Sequence, residues 1–297
     1  MPGFLRDIFP QPDIIKAVGN RVTIGGFEDA RKEPLVKFCF CHLQQRCQCA
    51  GHHRLLVGDE GLDALQKAHV LIVGLGGVGS YAAEALCRAG VGELTIVDGD
   101  VVDPTNRNRQ LQALSTTHGM GKAALMQERM LQINPYVKLN VISEFQDPEK
   151  MVQLLKQKFD YVIDAIDSIT PKVHLIKTAK EMGHNIVSSM GAGGKMDPTQ
   201  LQVVDVSKTY HCPMAYYLRK RLKEVGIRKG VKAVFSTELP DKKSIMKTDG
   251  SNFKKSAYGT ISYIPAVFGM TCASVVIRDL TNCRKSNSLF PGFEKQS

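Results

Sequence analysis

The sequence contains no tryptophan, and only 7% of its residues are aromatic. Nowhere do 18 apolar residues follow one another, so no membrane span is encoded. No CxxC pair occurs, which removes the usual zinc-knuckle spacing. Eight cysteines in 297 residues are too sparse for the disulfide framework of a small secreted domain, so a reducing compartment is expected. The first residues lack the unbroken apolar stretch of a signal peptide, because Asp7 and Asp13 interrupt it; with Glu28, Asp29 and Glu33 they also make it too acidic for a transit peptide. The expected location is cytoplasmic, with a mitochondrial one as the alternative.

What is present is the composition of an ordinary globular chain, 43% hydrophobic and 23% charged. Residues 1–53, with Pro2, Pro10, Pro12 and Pro34 and no sustained periodicity, are expected to be an N-terminal extension, residues 54–281 one domain and 282–297 a tail. The net charge is +10, and twelve Lys/Arg against four Asp/Glu between Arg219 and Lys255 account for +8 of it. Such an excess favours a polyanionic partner, nucleic acid before membrane; the alternative is a solvated helix face followed by a charged loop. Residues 239–256, with five lysines and no clear period, are expected to be a mobile loop.

From Asp59 onward strands and helices alternate. Asp59 can cap a helix through Lys67, and 69–73, 93–97, 137–142, 161–165 and 186–189 read as buried strands. Helices are expected over 78–89, 119–133, 149–157 and 171–182. Strands at 201–206 and 231–235 flank a basic helix at 214–225. This rhythm predicts an α/β fold, Rossmann-like, with a mostly parallel sheet covered by helices on both faces.

Gly74-Leu-Gly76-Gly77-Val-Gly79 follows a strand and opens a helix, the context in which glycines let the backbone approach phosphates at a helix N-terminus. Asp98 closes the next strand, where a carboxylate can take ribose hydroxyls. A dinucleotide-dependent dehydrogenase would carry as much. The segment DVVDPTNRNRQ from Asp100, with Arg107 and Arg109, and GMGK ending at Lys122 then bring two arginines and a lysine towards that loop. A triphosphate requires such charge, whereas a nicotinamide cofactor has no γ-phosphate to neutralise. Asp164 and Asp167, at the end of another strand, can offer oxygen to magnesium, Asp164 being the more structural of the two.

Taken together, GLGGVG, Asp98, NRNRQ, GMGK and IDAIDS resemble the adenylating enzymes related to ThiF, MoeB and the ubiquitin-activating enzymes. SSMGAGGKMDPTQLQVVDVSKT from Ser188, CPMAYYLRKRL from Cys212, VFSTE from Val234 and YGTISYIPAVFG from Tyr258 are similar to the tRNA threonylcarbamoyladenosine dehydratases within that family. The resemblance spans roughly residues 54–280. It implies ATP-dependent cyclisation of threonylcarbamoyladenosine beside the anticodon, with ATP, Mg2+ and a monovalent cation as cofactors. It also implies a small C-terminal portion facing tRNA, a homodimer, and a sulfur-handling protein as a further partner.

Residue by residue, the resemblance places Gly74, Gly76, Gly77, Gly79 and Asp100 at the nucleotide, Asp98 on the ribose, and Asn106 and Arg109 on the triphosphate. Lys122 would act on the α-phosphate and Asp167 on magnesium, so that Arg109, Lys122 and Asp167 form the catalytic set. Arg46 and Arg54 are candidates for an arginine that reaches the partner subunit's ATP. The tRNA-binding set is Arg219, Lys220, Arg221, Lys223, Arg228, Lys229 and Lys232.

Three other readings compete. Activation of a ubiquitin-like or sulfur-carrier protein is disfavoured by the missing paired-cysteine zinc ligands; hydride transfer loses on the cation cluster; and a nucleotide-binding module without activity conflicts with filled catalytic positions. The adenylated carboxylate is attacked by a nucleophile within the substrate itself, so no catalytic cysteine is expected. Cys39, Cys41, Cys47 and Cys49, with His42, His52 and His53, offer zinc- or copper-binding side chains, but their spacing favours an unstructured extension.

Overall fold

Strand β1 (His69–Val73) carries four successive buried residues, which only a sheet covered on both faces can accommodate. β2 (Glu93–Val97), β4 (Tyr161–Asp164) and β5 (Ile186–Ser189) show the same continuous burial. β3 (Lys138–Ile142), β6 (Leu201–Asp205) and β7 (Lys232–Ser236) complete the set. In the computed structural model, which describes residues 51–247 and 256–282, they form one seven-stranded sheet in the order β3-β2-β1-β4-β5-β7-β6. Only the β6–β7 pair is antiparallel.

Among the described residues seven helices cover the sheet: α1 (Gly51–Lys67), α2 (Gly79–Ala89), α3 (Lys122–Ile133), α4 (Pro148–Leu155), α5 (Ile169–Glu181), α6 (Pro213–Glu224) and α7 (Ile264–Leu280). Alternate strand residues feed two separate cores. Ile72 and Ile96 join Leu86 of α2, Met126 of α3 and Phe268 of α7 on one face. On the other, Leu71 and Val162 join Leu154 of α4, Leu175 of α5 and Leu218 of α6. Each such fully buried side chain contributes about 1.5–3 kcal/mol by removal from water. α7 lies close against α2 because Gly269 has no side chain: a Cβ there would stand 2.2 Å from the Val78 carbonyl oxygen. Among the described residues no helix is long and apolar enough to cross a membrane.

Several boundaries differ from expectation for identifiable reasons. α1 joins two helical segments across Gly58, whose φ of 70° is non-helical; the second is the segment expected from Asp59 through Lys67, and the additional one runs ahead of it from Gly51. α3 begins at Lys122, not 119, because Gly119 and Met120 are taken into backbone bonds with Val102, at 2.9 Å each. The stretch 239–256, expected to lack structure, carries a short antiparallel pair, β8 (Ile245–Lys247) with β9 (Ser256–Tyr258). Residues 248–255 lie outside the described residues, as does the Cys39/Cys41/Cys47/Cys49 cluster. The C-terminal portion is continuous with the domain, since β6, α6 and β7 extend the same sheet.

Candidate active site

Strand order reverses between β1 and β4, and ligands of open α/β sheets bind in the crevice at the carboxyl ends of such a pair. The glycine loop lies there, and its glycines differ in what they permit. Gly74 sits at φ +91°, with a would-be Cβ 2.8 Å from the Ala165 carbonyl oxygen; at Gly79 a Cβ would meet the Gly74 oxygen at 1.7 Å. These two let the loop fold onto itself and onto the segment after β4. Gly76 is more open, its nearest neighbour being Gln110 Nε2 at 3.8 Å, while Gly77 faces Pro265 and the Arg109 side chain. Val78, at the start of α2, has no capping side chain; the Ser80 N–H bonds the Gly76 carbonyl at 3.2 Å, and no side chain of the cap position occupies the remaining first-turn N–H groups.

Asp98 fastens the loop to β2. Its carboxylate accepts the Leu75 N–H at 2.6 Å and the Asp100 N–H at 2.8 Å. Burial pushes its pKa above the ordinary carboxylate value, opposed by the charge of Lys122 and by these two N–H groups. Lys122 begins α3 almost fully buried, 5% exposed, with its ammonium 2.9 Å from the half-exposed Asp100 carboxylate. The backbone bond from Lys122 N–H to the Asp100 oxygen, at 3.0 Å, fixes that approach.

The turn at Pro104–Asn106 is closed by a reciprocal cap: Asp103 accepts the Thr105 N–H at 2.8 Å, and Asn106 accepts the Asp103 N–H at 3.2 Å. Asn106 is therefore buried beneath the turn. Arg109, partly exposed, donates from its guanidinium to the Thr105 carbonyl at 3.0 Å and to Asn108 at 2.8 Å, while its backbone oxygen and Cγ lie against Gly77. Arg107 turns instead to the Pro104 carbonyl at 3.3 Å.

After β4 the two aspartates part company. Asp164 is fully buried; its carboxylate accepts from Ser188 at 2.6 Å and from the Ile166 N–H at 3.1 Å, and pairs with the equally buried Lys172 at 2.8 Å. Lys172 also donates to the Ile166 carbonyl at 2.8 Å, so both backbone groups of Ile166 are held. Asp167 follows, exposed. Among the described residues no three His, Cys, Asp or Glu side chains form a metal cage. One exposed carboxylate beside a phosphate loop does suit magnesium, which keeps its waters and binds through one or two carboxylates plus substrate phosphates.

Sequence reasoning missed Gln110 and Gln112 as individuals. Both are buried, and the Oε1 of each has no hydrogen-bond partner among the described residues, although Gln112 donates to Leu75 at 2.7 Å. Gln110 belonged to the NRNRQ segment, whereas nothing marked Gln112. The neighbouring strand ends carry a second group of loops. Buried Lys195 donates to the Glu238 carbonyl, and the Glu238 carboxylate accepts the Met196 and Asp197 N–H groups at 2.9 Å. Burial lowers the Lys195 pKa. The Gly194 N–H bonds the Gly259 carbonyl at 2.8 Å, so segments far apart in sequence meet at one sheet edge.

The seven basic residues do not share one surface. Lys220, Arg221, Lys223, Arg228 and Lys229 are exposed. Arg219 is half-buried and bonded to Thr209, and Lys232, at the start of β7, pairs with Asp279 at the sheet edge opposite the nucleotide loop. Cys212 is buried where the chain enters α6.

The model of the ThiF family matches residues 51–293. The chain belongs to the ThiF family. Within it, this ThiF-family chain is 41% identical over 235 residues to a protein of Bacillus subtilis named tRNA threonylcarbamoyladenosine dehydratase, covering 77% of this chain and 92% of the relative. The Escherichia coli protein of the same name is 40% identical over 242 residues, 76% of this chain and 90% of that one. The crystal structure of the Escherichia coli dehydratase in complex with ATP superposes with a TM-score of 0.73 at 38% identity, covering 81% of this chain and 96% of that chain.

Proposed function

We propose that this chain catalyses the ATP-dependent dehydration of threonylcarbamoyladenosine in tRNA. The observation that carries this reading is a relative of that name covered over 92% of its length at 41% identity. In support, Asp98, Lys122, Arg109 and the glycine loop stand together at one sheet edge. A carboxylate is a poor electrophile, because its charge repels nucleophiles and oxide is a poor leaving group. When the threonyl carboxylate attacks the α-phosphorus of ATP, pyrophosphate leaves and the carbonyl carbon becomes an acyl adenylate. The carbamoyl group of the same nucleoside then attacks that carbon, AMP departs with the former carboxylate oxygen, and the nucleoside has lost water. Nucleophile and electrophile belong to one molecule, so high effective molarity supports ring closure without an enzyme thiolate.

In this proposal the loop N–H groups and Arg109 hold the phosphates, Asp98 holds the ribose, and Asn106 supports the turn that presents Arg109. Lys122 stabilises charge on the α-phosphate; its pairing with Asp100 keeps the ammonium aimed at the loop until the nucleotide arrives. Asp167 would hold Mg2+, which supplies charge neutralisation on the departing pyrophosphate. A homodimer, with Arg46 or Arg54 reaching the partner subunit's ATP, belongs to the same proposal. Arg54 is exposed and pairs with Asp59 at 2.7 Å, and Arg46 lies outside the described residues. A tRNA substrate limits the reaction to compartments that hold tRNA, the cytoplasm or the mitochondrion.

The test is incubation of purified protein with ATP, Mg2+ and tRNA bearing the linear nucleoside, followed by nucleoside mass analysis. The linear form should be replaced by one lighter by a water, with AMP formed in equal amount. Lys122→Met keeps the packed stem and removes the charge, and it should lower kcat by about a hundredfold or more without unfolding the chain. Unchanged tRNA nucleosides, or AMP formed only when a carrier protein is added, would overturn the reading.

A further inference from the structure

The outward face of α6 changes character along its length. Ala215, Leu218 and Leu222 bury the inner face, while Tyr216 and Tyr217 are each 57% exposed. Their rings lie 5.3 Å apart at 77°, one edge against the other. This end of the helix is next to the loops of the site: a Cβ on Gly191 would stand 3.5 Å from Met214 Cβ and 3.6 Å from Cys212 Sγ. The other end leads towards the start of β7, at the opposite sheet edge. Helical spacing places Lys220 and Lys223 in one row with Tyr216, and Lys220 and Arg221 in an adjoining row with Tyr217. The one acid of the helix, Glu224, is already engaged by Arg221 at 3.7 Å.

A single exposed tyrosine needs no explanation. Two together, at the site end of a helix whose remaining exposed face is almost purely cationic, have the chemistry that binds single-stranded nucleic acid: rings for the bases, ammonium and guanidinium groups for the phosphates. A protein partner of matching chemistry would have to be strongly acidic and offer flat apolar groups at one end of its contact. An anticodon loop offers both properties at once, because its unpaired bases lie beside the reacting nucleoside and its charged stem extends away from it.

We propose that Tyr216 and Tyr217 form a stacking surface for unpaired anticodon-loop bases flanking the reacting nucleoside, with Lys220 and Lys223 on the phosphates beyond. This inference rests on the tRNA reading above. Stacking on aromatic side chains tolerates any base, so the surface accounts for grip on the loop without sequence readout.

The experiment measures affinity of the full chain for an anticodon stem-loop RNA and for a fully paired hairpin of the same length. Tyr216→Ala/Tyr217→Ala should weaken stem-loop binding by about tenfold or more and leave the paired hairpin and ATP affinity unaltered, since stacking contributes roughly 1–3 kcal/mol per base. Tyr216→Phe/Tyr217→Phe, which keeps the rings, should restore it. Both variants alter exposed side chains and are expected to fold. Equal stem-loop affinity for parent and alanine variant would overturn the proposal. Equal loss on both RNAs, or a changed oligomeric state at unchanged RNA affinity, would overturn it too, the last making the face a contact between copies of the chain. If the parent binds neither RNA, it is the tRNA reading itself that fails.

Discussion

In the site proposed above, Asp98 would serve the fold and the ligand with opposite pH dependences. Its raised pKa means that the folded chain holds this proton more tightly than the unfolded chain does. Its contribution to stability is therefore present below the ordinary carboxylate value of 3.8 and is lost as pH rises through the raised one. Nucleotide binding by the proposed site would run the other way, because only the ionised carboxylate could accept from the Leu75 and Asp100 N–H groups and the ribose hydroxyls together. ATP affinity should consequently decline on acidification at a pH above that of an ordinary carboxylate. Asp98→Asn should bind ATP about tenfold to a hundredfold more weakly at neutral pH, the worth of charge-assisted hydrogen bonds, and should lack that acid limb. Calorimetric titration of both proteins over a pH series checks this; parallel profiles would contradict it. Asp98 was legible in the sequence because position alone, at the end of a strand after a glycine loop, defines its chemistry. The separate duties of Gly74 and Gly79 were not, since they depend on atoms of Ala165 and of the loop itself. Nor was the burial that pushes Cys87 up to about 11 and Cys272 up to about 12, leaving both as unreactive thiols.

At the level of elements, the turn after β4 is governed by a buried ion pair that periodicity cannot reveal. Lys172 enters α5 three positions after its start and reads as a surface lysine, yet it is fully buried against Asp164. Desolvating two charges costs about as much as their attraction returns, so such a pair is weak evidence for stability. Its visible effect here is to hold both backbone groups of Ile166, one residue before Asp167. Lys172→Met leaves a buried carboxylate without its counter-charge and should destabilise the chain by about 3–5 kcal/mol. Asp164→Asn/Lys172→Met removes both charges and keeps an acceptor for the Ile166 N–H, and most of that loss should be recovered. Urea unfolding of the two variants decides the matter: a double variant no more stable than the single one would show that the pair stabilises the fold outright. The βαβ order was legible because buried strands and amphipathic helices repeat with fixed periods. The β8–β9 pair was not, because three-residue strands in a lysine-rich stretch have no period to read.

For the molecule as a whole, eight of the ten excess positive charges fall between Arg219 and Lys255, and along α6 and the turn beyond it the cations are interrupted by internal pairing. Helical geometry already prevents all seven cations from sharing one face, and Lys232 is paired with Asp279 and Arg219 with Thr209. Five of the seven are left exposed, and they run from near the site towards the opposite sheet edge. If tRNA lies along this line, its phosphates displace counterions one by one, and the logarithm of affinity falls linearly with the logarithm of salt concentration. Each lost phosphate contact should flatten that slope by roughly 0.7–0.9 of a unit. Lys220→Ala/Lys223→Ala is therefore expected to reduce the slope by about 1.5 units and to weaken binding across tRNA sequences alike. Lys232→Met should leave the slope where it was, since that ammonium already faces a carboxylate on the far side of the sheet. The two variants separate charge in general from charge in position: each lowers the net charge, but only the first removes cations from the proposed RNA path. Equal slopes for parent and Lys220→Ala/Lys223→Ala would mean that the tRNA stem runs over another face, and a flattened slope for Lys232→Met would place it across the opposite edge of the sheet.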